Sequence, residues 1–184
     1  MEKQVKREEI YSGKVIKVVV DDVEIDDDVK TKREIVLHNG GACIAIKDVD
    51  GKYLMVKQYR YAQQKEMLEF CAGKIEKGEN PDDAIIREAK EETGSIVTNV
   101  RKFGYIIPTC GYSSEKIYLY YGEVVSKTNQ DLDKDERINV YKYSLAEIRQ
   151  MILDGTIDDA KTIAVLYHIE NLGIDKWKQK ELHW

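Results

Sequence analysis

The chain has few of the residues that mark disulfide-stapled, membrane-spanning or nucleic-acid-binding proteins. Its 184 residues include three cysteines and two prolines, and no window approaches the roughly 20 apolar residues of a membrane helix. Cys43, Cys71 and Cys110 are odd in number and lack C-x-x-C spacing, which argues against a disulfide framework and a zinc site. The net charge of −5 disfavours nonspecific binding to nucleic acid or to a membrane surface, because both need a basic field.

What is present is the composition of a well-hydrated globular protein. Charged residues make up 34% of the chain and hydrophobic residues 42%, which is enough apolar surface to exclude disorder. The first seven residues lack the apolar stretch of a signal peptide, so we expect a cytoplasmic protein. We expect the three cysteines to be reduced and packed as small apolar side chains.

Short apolar segments separated by turn residues predict an α+β fold with a mixed sheet. We divide the chain into a small N-terminal β region (1–38), a main domain (39–172) and a C-terminal tail (173–184). A turn is expected at Asp21-Asp22, and residues 126–136 are expected to form a mobile polar loop. Strands are predicted over 14–20, 33–38, 42–46, 53–56, 100–107, 116–125 and 138–143, and helices over 145–153 and 161–172.

A further helix is predicted from residue 81 to residue 93. Asn80 offers an N-cap side chain, Pro81 suits the first helical position, and Gly94 supplies the left-handed conformation that commonly ends a helix. Within this helix Glu88, Glu91 and Glu92 are spaced i, i+3 and i+4, so their carboxylates share one face. Clustered carboxylates suit a hard divalent cation, whereas the alternative is a solvated acidic face.

The surroundings of these glutamates favour the metal site. The segment from residue 73 to residue 95 fits the pattern G-x5-E-x7-R-E-U-x-E-E-x-G-U, in which U is apolar, except that Ser95 stands at the last apolar position. This pattern resembles the signature of the Nudix family of pyrophosphohydrolases. The matching residues are Gly73, Glu79, Arg87, Glu88, Glu91, Glu92 and Gly94.

The resemblance implies an α/β/α sandwich, preceded by a small antiparallel sheet that helps to form a homodimer. It also implies Mg²⁺, with Mn²⁺ as an alternative, held by the carbonyl of Ala72 and by Glu88, Glu91 and Glu92. Gly73 would let the chain turn sharply before the helix. Arg87 either orients these ligands or forms a purely structural ion pair.

Features outside the motif are similar to the ADP-ribose pyrophosphatase branch of the family. They are Gln58-Tyr59-Arg60, the stretch 68–73 and the stretch 11–15. Cys71 stands where the branch usually has proline, and 108–112 also departs from its pattern. The resemblance implies hydrolysis of ADP-ribose to AMP and ribose 5-phosphate. Two alternatives stay open, namely another substrate such as GDP-mannose or a dinucleoside polyphosphate, and a noncatalytic nucleotide-sensing module.

The same resemblance suggests substrate and catalytic residues outside the metal-binding helix. Arg60 is expected to contact phosphate or ribose, and Arg33 to approach the ligand across a dimer interface. Glu69 and Glu115 are expected to position metal or substrate, or to act only as partners of residues that do. Glu136, at the end of the polar loop, is the preferred catalytic base, with Glu92 or Glu91 as alternatives. The three histidines, with no metal-ligand spacing, are expected to be structural.

Overall fold

Three long strands at the N-terminus form their own antiparallel sheet in the computed structural model of the chain, which describes residues 1–26 and 29–173. They are β1 (Glu2–Ser12), β2 (Ile16–Ile25) and β3 (Val29–His38), in that spatial order. The turn predicted at Asp21-Asp22 is wrong, because both residues lie within β2. The buried Asp21 carboxylate accepts two hydrogen bonds of 2.7 Å from Arg7 on β1, which satisfies it inside the sheet.

A seven-stranded mixed sheet forms the centre of the molecule. Strand β4 runs parallel to β9, whereas the other neighbouring pairs of this sheet are antiparallel. The spatial order is β10-β5-β4-β9-β8, with β6 paired to β5 and β7 paired to β4. The strands are β4 (Gly41–Lys47), β5 (Tyr53–Arg60), β6 (Lys65–Glu69), β7 (Cys71–Lys74), β8 (Ser95–Ile106), β9 (Ile117–Lys127) and β10 (Ile138–Tyr143).

The helices begin and end at the residues that favour helix termini. The Asn80 side chain caps α1 (Pro81–Thr93) by accepting a hydrogen bond from the Asp82 N–H at 2.9 Å, and Gly94 ends it in the left-handed conformation. A Ser144–Glu147 capping box begins α2 (Leu145–Leu153). Helix α3 (Ala160–His168) continues into a π-helical turn (Ile169–Gly173). Within the described residues, no helix is both long enough and apolar enough to cross a bilayer.

The apolar side chains of β4 alternate between two cores, one on each face of the central sheet. Ile44 and Ile46 pack on the α1 side with Ile85, whereas Cys43 and Ala45 pack on the α2 and α3 side. This arrangement gives the three layers that were predicted. All three cysteines are free, and Cys43 and Cys71 are buried as expected, but Cys110 is exposed, so the expectation that it packs as an apolar side chain is wrong.

Candidate active site

Arg87 joins the loop before α1 to two glutamates of the helix. Its guanidinium donates to Glu79 at 3.0 and 3.2 Å, to Glu88 at 2.9 Å and to Glu91 at 2.8 Å. The hydrogen bonds to Glu79 contribute most to raising the pKa of Arg87 above its usual value. We call these four residues the Arg87 cluster. One cation faces three carboxylates, so the cluster carries an excess of negative charge when the carboxylates are ionised.

The carboxylate of Glu88 rests directly on the backbone of Gly73. A Cβ atom at residue 73 would lie 1.8 Å from Glu88 Cδ, so the Glu88 carboxylate would have to move away. Glycine at this position therefore lets the glutamate approach the strand that ends in the loop before α1. Burial raises the pKa of Glu88 above its ordinary value.

Glu92 lies deepest of the three helical glutamates and is 4% exposed. Its Oε2 accepts a hydrogen bond from the Ala72 backbone N–H at 3.1 Å. Burial raises the pKa of Glu92 to about 7, although the hydrogen bonds from the Cys71 thiol and from Ala72 act in the opposite direction. The thiol at residue 71, where the resembled branch usually has proline, therefore gives this buried carboxylate a donor.

Together these groups fit a divalent cation in chemical type. Three carboxylates and the backbone at Ala72-Gly73 supply hard oxygen atoms on one side of α1. In the part of the chain that the structure describes, however, no three acidic, cysteine or histidine side chains already converge as a ligand set. The hydrogen bonds explain this, because Arg87 engages Glu88 and Glu91 while Glu92 is turned towards Ala72.

Two adjoining cavities, of about 530 and 390 Å³, open beside this helix. They share His38, Lys74, Glu88 and Glu136 in their walls. Glu91 lines the larger cavity, and Glu92 lines the smaller one. The glutamates of α1 thus stand at the boundary between two spaces, each of which could hold half of a two-part ligand.

The smaller cavity is also lined by members of a charge-balanced cluster. Glu69, only 1% exposed, accepts hydrogen bonds from Arg60 at 2.8 and 2.7 Å and from Lys161 at 2.5 Å. Lys161 also donates to Asp159 at 2.9 Å. We call these four residues the Glu69 cluster. The carboxylate of Glu69 is occupied by its own cations, whereas Arg60 and Lys161 reach the cavity wall.

Glu115 and His38 close the smaller cavity on the side of the N-terminal sheet. Their nearest side-chain atoms, His38 Nδ1 and Glu115 Oε1, are 3.6 Å apart. His38 Nδ1 accepts a hydrogen bond from the Gly40 N–H at 2.9 Å. His38 was expected to be purely structural, but the structure also places it in the walls of both cavities.

The predicted base, Glu136, reaches the wall of both cavities because its loop is fastened to the end of α1. The Thr128 N–H donates to the Gly94 carbonyl at 2.6 Å, and the Asp131 N–H donates to the Glu91 carbonyl at 3.0 Å. Any side chain at residue 94 would prevent this contact, because its Cβ would lie 2.3 Å from the Thr128 oxygen. The segment predicted to be a mobile loop therefore begins with an extension of β9 and an anchored stretch.

Among the predicted substrate residues of the described chain, Arg60 and Glu115 line the smaller cavity, Glu69 lies behind its wall, and Arg33 lies away from both cavities. Its guanidinium forms two hydrogen bonds, of 3.0 and 2.6 Å, with Glu2 on β1. It is absent from the walls of both cavities within residues 1–26 and 29–173. A contact of Arg33 with a ligand across a dimer interface stays a prediction.

Sequence reasoning missed Gln58, Lys74 and Lys161, which also line the smaller cavity. The position of Lys161 carried a signal, since it comes two residues after Asp159, the N-cap of α3. A cation in the first turn of a helix opposes the helix dipole, so a lysine there calls for a specific acidic partner.

Comparisons with known proteins extend over most of the chain. A model of the NUDIX domain matches residues 37–166. The chain is 33% identical over 171 residues to the ADP-ribose pyrophosphatase of Bacillus subtilis (strain 168), and 36% identical over 171 residues to the methanol dehydrogenase activator of Bacillus methanolicus. Each alignment covers 92% of both proteins. A GDP-mannose pyrophosphatase of Yersinia enterocolitica (serotype O:8 / biotype 1B) is 32% identical over 83% of this chain and 86% of its own length.

The fold has a counterpart among solved structures. The crystal structure of an ADP compounds hydrolase matches with a TM-score of 0.80 and 19% identity, over 94% of this chain and 96% of that one. This likeness confirms the predicted architecture of a small N-terminal sheet followed by a layered α+β domain. Because the domain model covers residues 37–166 and two relatives exceed 30% identity over 92% of its length, the chain belongs to the Nudix family.

Proposed function

We propose that the protein is a magnesium-dependent pyrophosphohydrolase that converts ADP-ribose to AMP and ribose 5-phosphate. The observation that carries this proposal is the pairing of opposite charges around one cavity. Glu88 and Glu92 of α1 line the same cavity as Arg60 and Lys161. A nucleoside diphosphate needs both kinds of group, because cations neutralise its phosphates and carboxylates hold the metal ion.

Hydrolases of this family need a divalent metal ion, and we assign Mg²⁺ here, with Mn²⁺ as a substitute. Its proposed ligands are the Ala72 carbonyl and the carboxylates of Glu88, Glu91 and Glu92. When bound, such an ion neutralises diphosphate charge and lowers the pKa of an attacking water. The roles of Gly73 and Arg87 are to seat Glu88 and to hold Glu88 and Glu91 before the ion arrives.

The chain's own side chains supply proton transfer and substrate orientation. Glu136 is the proposed base, because it lines both cavities beside Glu88 and sits on a loop anchored to α1. Arg60 is the proposed diphosphate contact, and Glu69 fixes its guanidinium from behind with two hydrogen bonds. The alternative bases are Glu91 and Glu92.

The N-terminal region is proposed to support a homodimer and to bring Arg33 to the partner's substrate. In its support, every residue of β1 is exposed to solvent in the single chain, including Val5, Ile10 and Tyr11. We further propose that the protein acts in the cytoplasm on small nucleotides, and not on nucleic acid or membranes. The expected C-terminal tail lies, beyond Gly173, outside the described residues.

Other substrates remain as rivals within the same chemistry. GDP-mannose is the second candidate, because several relatives at 28–32% identity are GDP-mannose pyrophosphatases. A noncatalytic sensor is disfavoured because all three motif glutamates of α1 line the cavities.

The decisive experiment is a substrate panel with the purified protein. ADP-ribose, GDP-mannose, NADH and a dinucleoside polyphosphate are incubated with and without Mg²⁺, and the products are separated by chromatography. We expect Mg²⁺-dependent AMP to appear fastest from ADP-ribose. Faster hydrolysis of another compound would replace the substrate, and no turnover of any compound would support the sensor.

A further inference from the structure

Arg60 and Lys161 are held side by side by a single oxygen atom. Arg60 Nη2 donates to Glu69 Oε2 at 2.7 Å, and Lys161 Nζ donates to the same atom at 2.5 Å. The two nitrogens therefore lie at most about 5 Å apart. That separation allows two cations to contact neighbouring oxygens of one phosphate or diphosphate group.

Burial holds Glu69 and Lys161 in place, whereas Arg60, whose side chain is 37% exposed, is held by its two hydrogen bonds to Glu69. The side chain of Glu69 is 1% exposed, and that of Lys161 is 12% exposed. Two cations this close would repel each other in a poorly hydrated wall, but Glu69 and Asp159 balance them. The network also joins β5, β6 and α3, so its members are fixed by three separate elements.

Both cations keep donors beyond those that the cluster uses. Arg60 engages Nε and Nη2 with Glu69, which leaves Nη1 outside the cluster. Lys161 has three N–H groups, and its bonds to Glu69 and Asp159 account for two of them. Both residues line the same cavity as Ala72 and Glu92, where the diphosphate is proposed to bind.

We propose that Lys161 is a second substrate-binding cation, which together with Arg60 contacts the diphosphate of the substrate. Glu69 is the residue that sets the spacing of the pair. This inference rests on the proposed function for the identity of the ligand. It adds a contact from α3, which lies outside the signature motif of residues 73–95, and Lys161 and Glu69 are 92 residues apart.

The test is calorimetric binding of inorganic diphosphate in the presence of Mg²⁺. Lys161→Gln keeps hydrogen-bond donors for Glu69 and Asp159 but removes the charge, whereas Lys161→Arg keeps the charge. We expect Lys161→Gln to weaken binding about tenfold or more and Lys161→Arg to stay close to the unmodified protein. The matched control is Lys65→Gln, because Lys65 forms an exposed ion pair with Asp158 and lines neither cavity.

Steady-state kinetics with ADP-ribose give a second measure, and we expect Lys161→Gln to raise KM more than it lowers kcat. If Lys161→Gln does not fold, the double variant Lys161→Gln/Asp159→Asn, which restores the charge balance, replaces it in the same assay. Unchanged diphosphate binding with a lower Tm would overturn the inference and leave Lys161 a structural role. The proposed function fails separately, if the unmodified protein binds diphosphate but hydrolyses no nucleotide.

Discussion

The Arg87 cluster and the Glu69 cluster differ in their balance of charge. In the first, one arginine faces Glu79, Glu88 and Glu91. In the second, Arg60 and Lys161 share one oxygen of Glu69, and Asp159 supplies a second carboxylate. The first cluster is short of positive charge and can accept a metal ion, whereas the second is charge-balanced and places its two cations in the wall of the smaller cavity. A protein with a net charge of −5 can therefore offer its anionic substrate a locally favourable wall.

The two clusters also differ in how freely they can rearrange. The side chain of Glu91 is 36% exposed, so it can break its ion pair with Arg87 and bind a metal ion while it stays hydrated. Glu69 is 1% exposed and has no such freedom, because an unpaired buried carboxylate is strongly destabilising. We infer that the metal side of the cavity reorganises during binding while the cationic side stays fixed.

The largest expected effect comes from removing a carboxylate of the Arg87 cluster. Glu91→Gln should lower kcat/KM for ADP-ribose about 10^3-fold, because a lost metal ligand removes several kcal/mol of transition-state stabilisation. Steady-state kinetics over a range of Mg²⁺ concentrations measure this effect. Asp83→Asn, on the same helix two turns earlier, is the control and should keep nearly full activity. A fully active Glu91→Gln enzyme would remove Glu91 from the proposed ligand set.

The second largest effect is expected from changing the proposed catalytic base, and it tests whether that base lies in the loop or on α1. Glu136→Gln should lower kcat about 10^2-fold or more, with a smaller change in metal affinity, because it removes a proton acceptor and no proposed ligand. The control variant is Asp135→Asn, at the neighbouring residue of the same loop, which should leave turnover nearly unchanged. If turnover by the Glu136→Gln enzyme is unchanged, the base must be sought at Glu91 or Glu92.

The smallest expected effect is on protein stability, and it distinguishes the two most buried carboxylates of the site. Burial raises the pKa of Glu92 to about 7. Burial also acts on Glu69, but the hydrogen bond from Arg60 and the charges of Lys161 and Arg60 outweigh it and lower the pKa of Glu69. A raised carboxyl pKa means that the folded protein holds a proton that the unfolded chain has released. The free energy of unfolding of the metal-free protein should thus fall as pH rises from about 4.5 to 7, because Glu92 loses its proton in the folded state only near pH 7.

Urea unfolding in the presence of a chelator measures this difference. Glu92→Gln should raise the free energy of unfolding at pH 8 by about 2 kcal/mol and flatten its decline between pH 4.5 and pH 7. Glu69→Gln should lower stability at pH 8, because it removes the carboxylate that Arg60 and the largely buried Lys161 share. Equal changes in the same direction for both variants would contradict the contrast between the clusters.

The features that could be predicted from the sequence are those that depend on residues close together along the chain. Helix α1 was predicted over the residues it occupies, because Asn80, Pro81 and Gly94 act locally at its ends. Its three glutamates follow from helical spacing alone. The turn at Asp21-Asp22 was predicted wrongly, because a tertiary hydrogen bond from Arg7 overrides the local preference of two adjacent aspartates.

The Glu69 cluster was predicted only in part, for a reason of distance along the chain. Arg60 and Glu69 are nine residues apart and were both singled out, and the hydrogen bonds between them agree with the alternative in which Glu69 acts as a partner of a substrate-binding residue. Lys161 lies 92 residues after Glu69, and no spacing in the sequence predicts the contact between them. Only the folding of α3 against the central sheet brings it there.

The bond between Gly94 and Thr128 has a consequence for how relatives of this protein can diverge. It fastens the start of the loop to the end of α1, while Asp133, Lys134 and Asp135 beyond it stay exposed. The loop is therefore held by backbone hydrogen bonds at its start and is exposed to solvent further along. Insertions between Asp131 and Glu136 would lengthen the exposed part and reposition Glu136 for a bulkier substrate, while the glutamates of the helix keep their places.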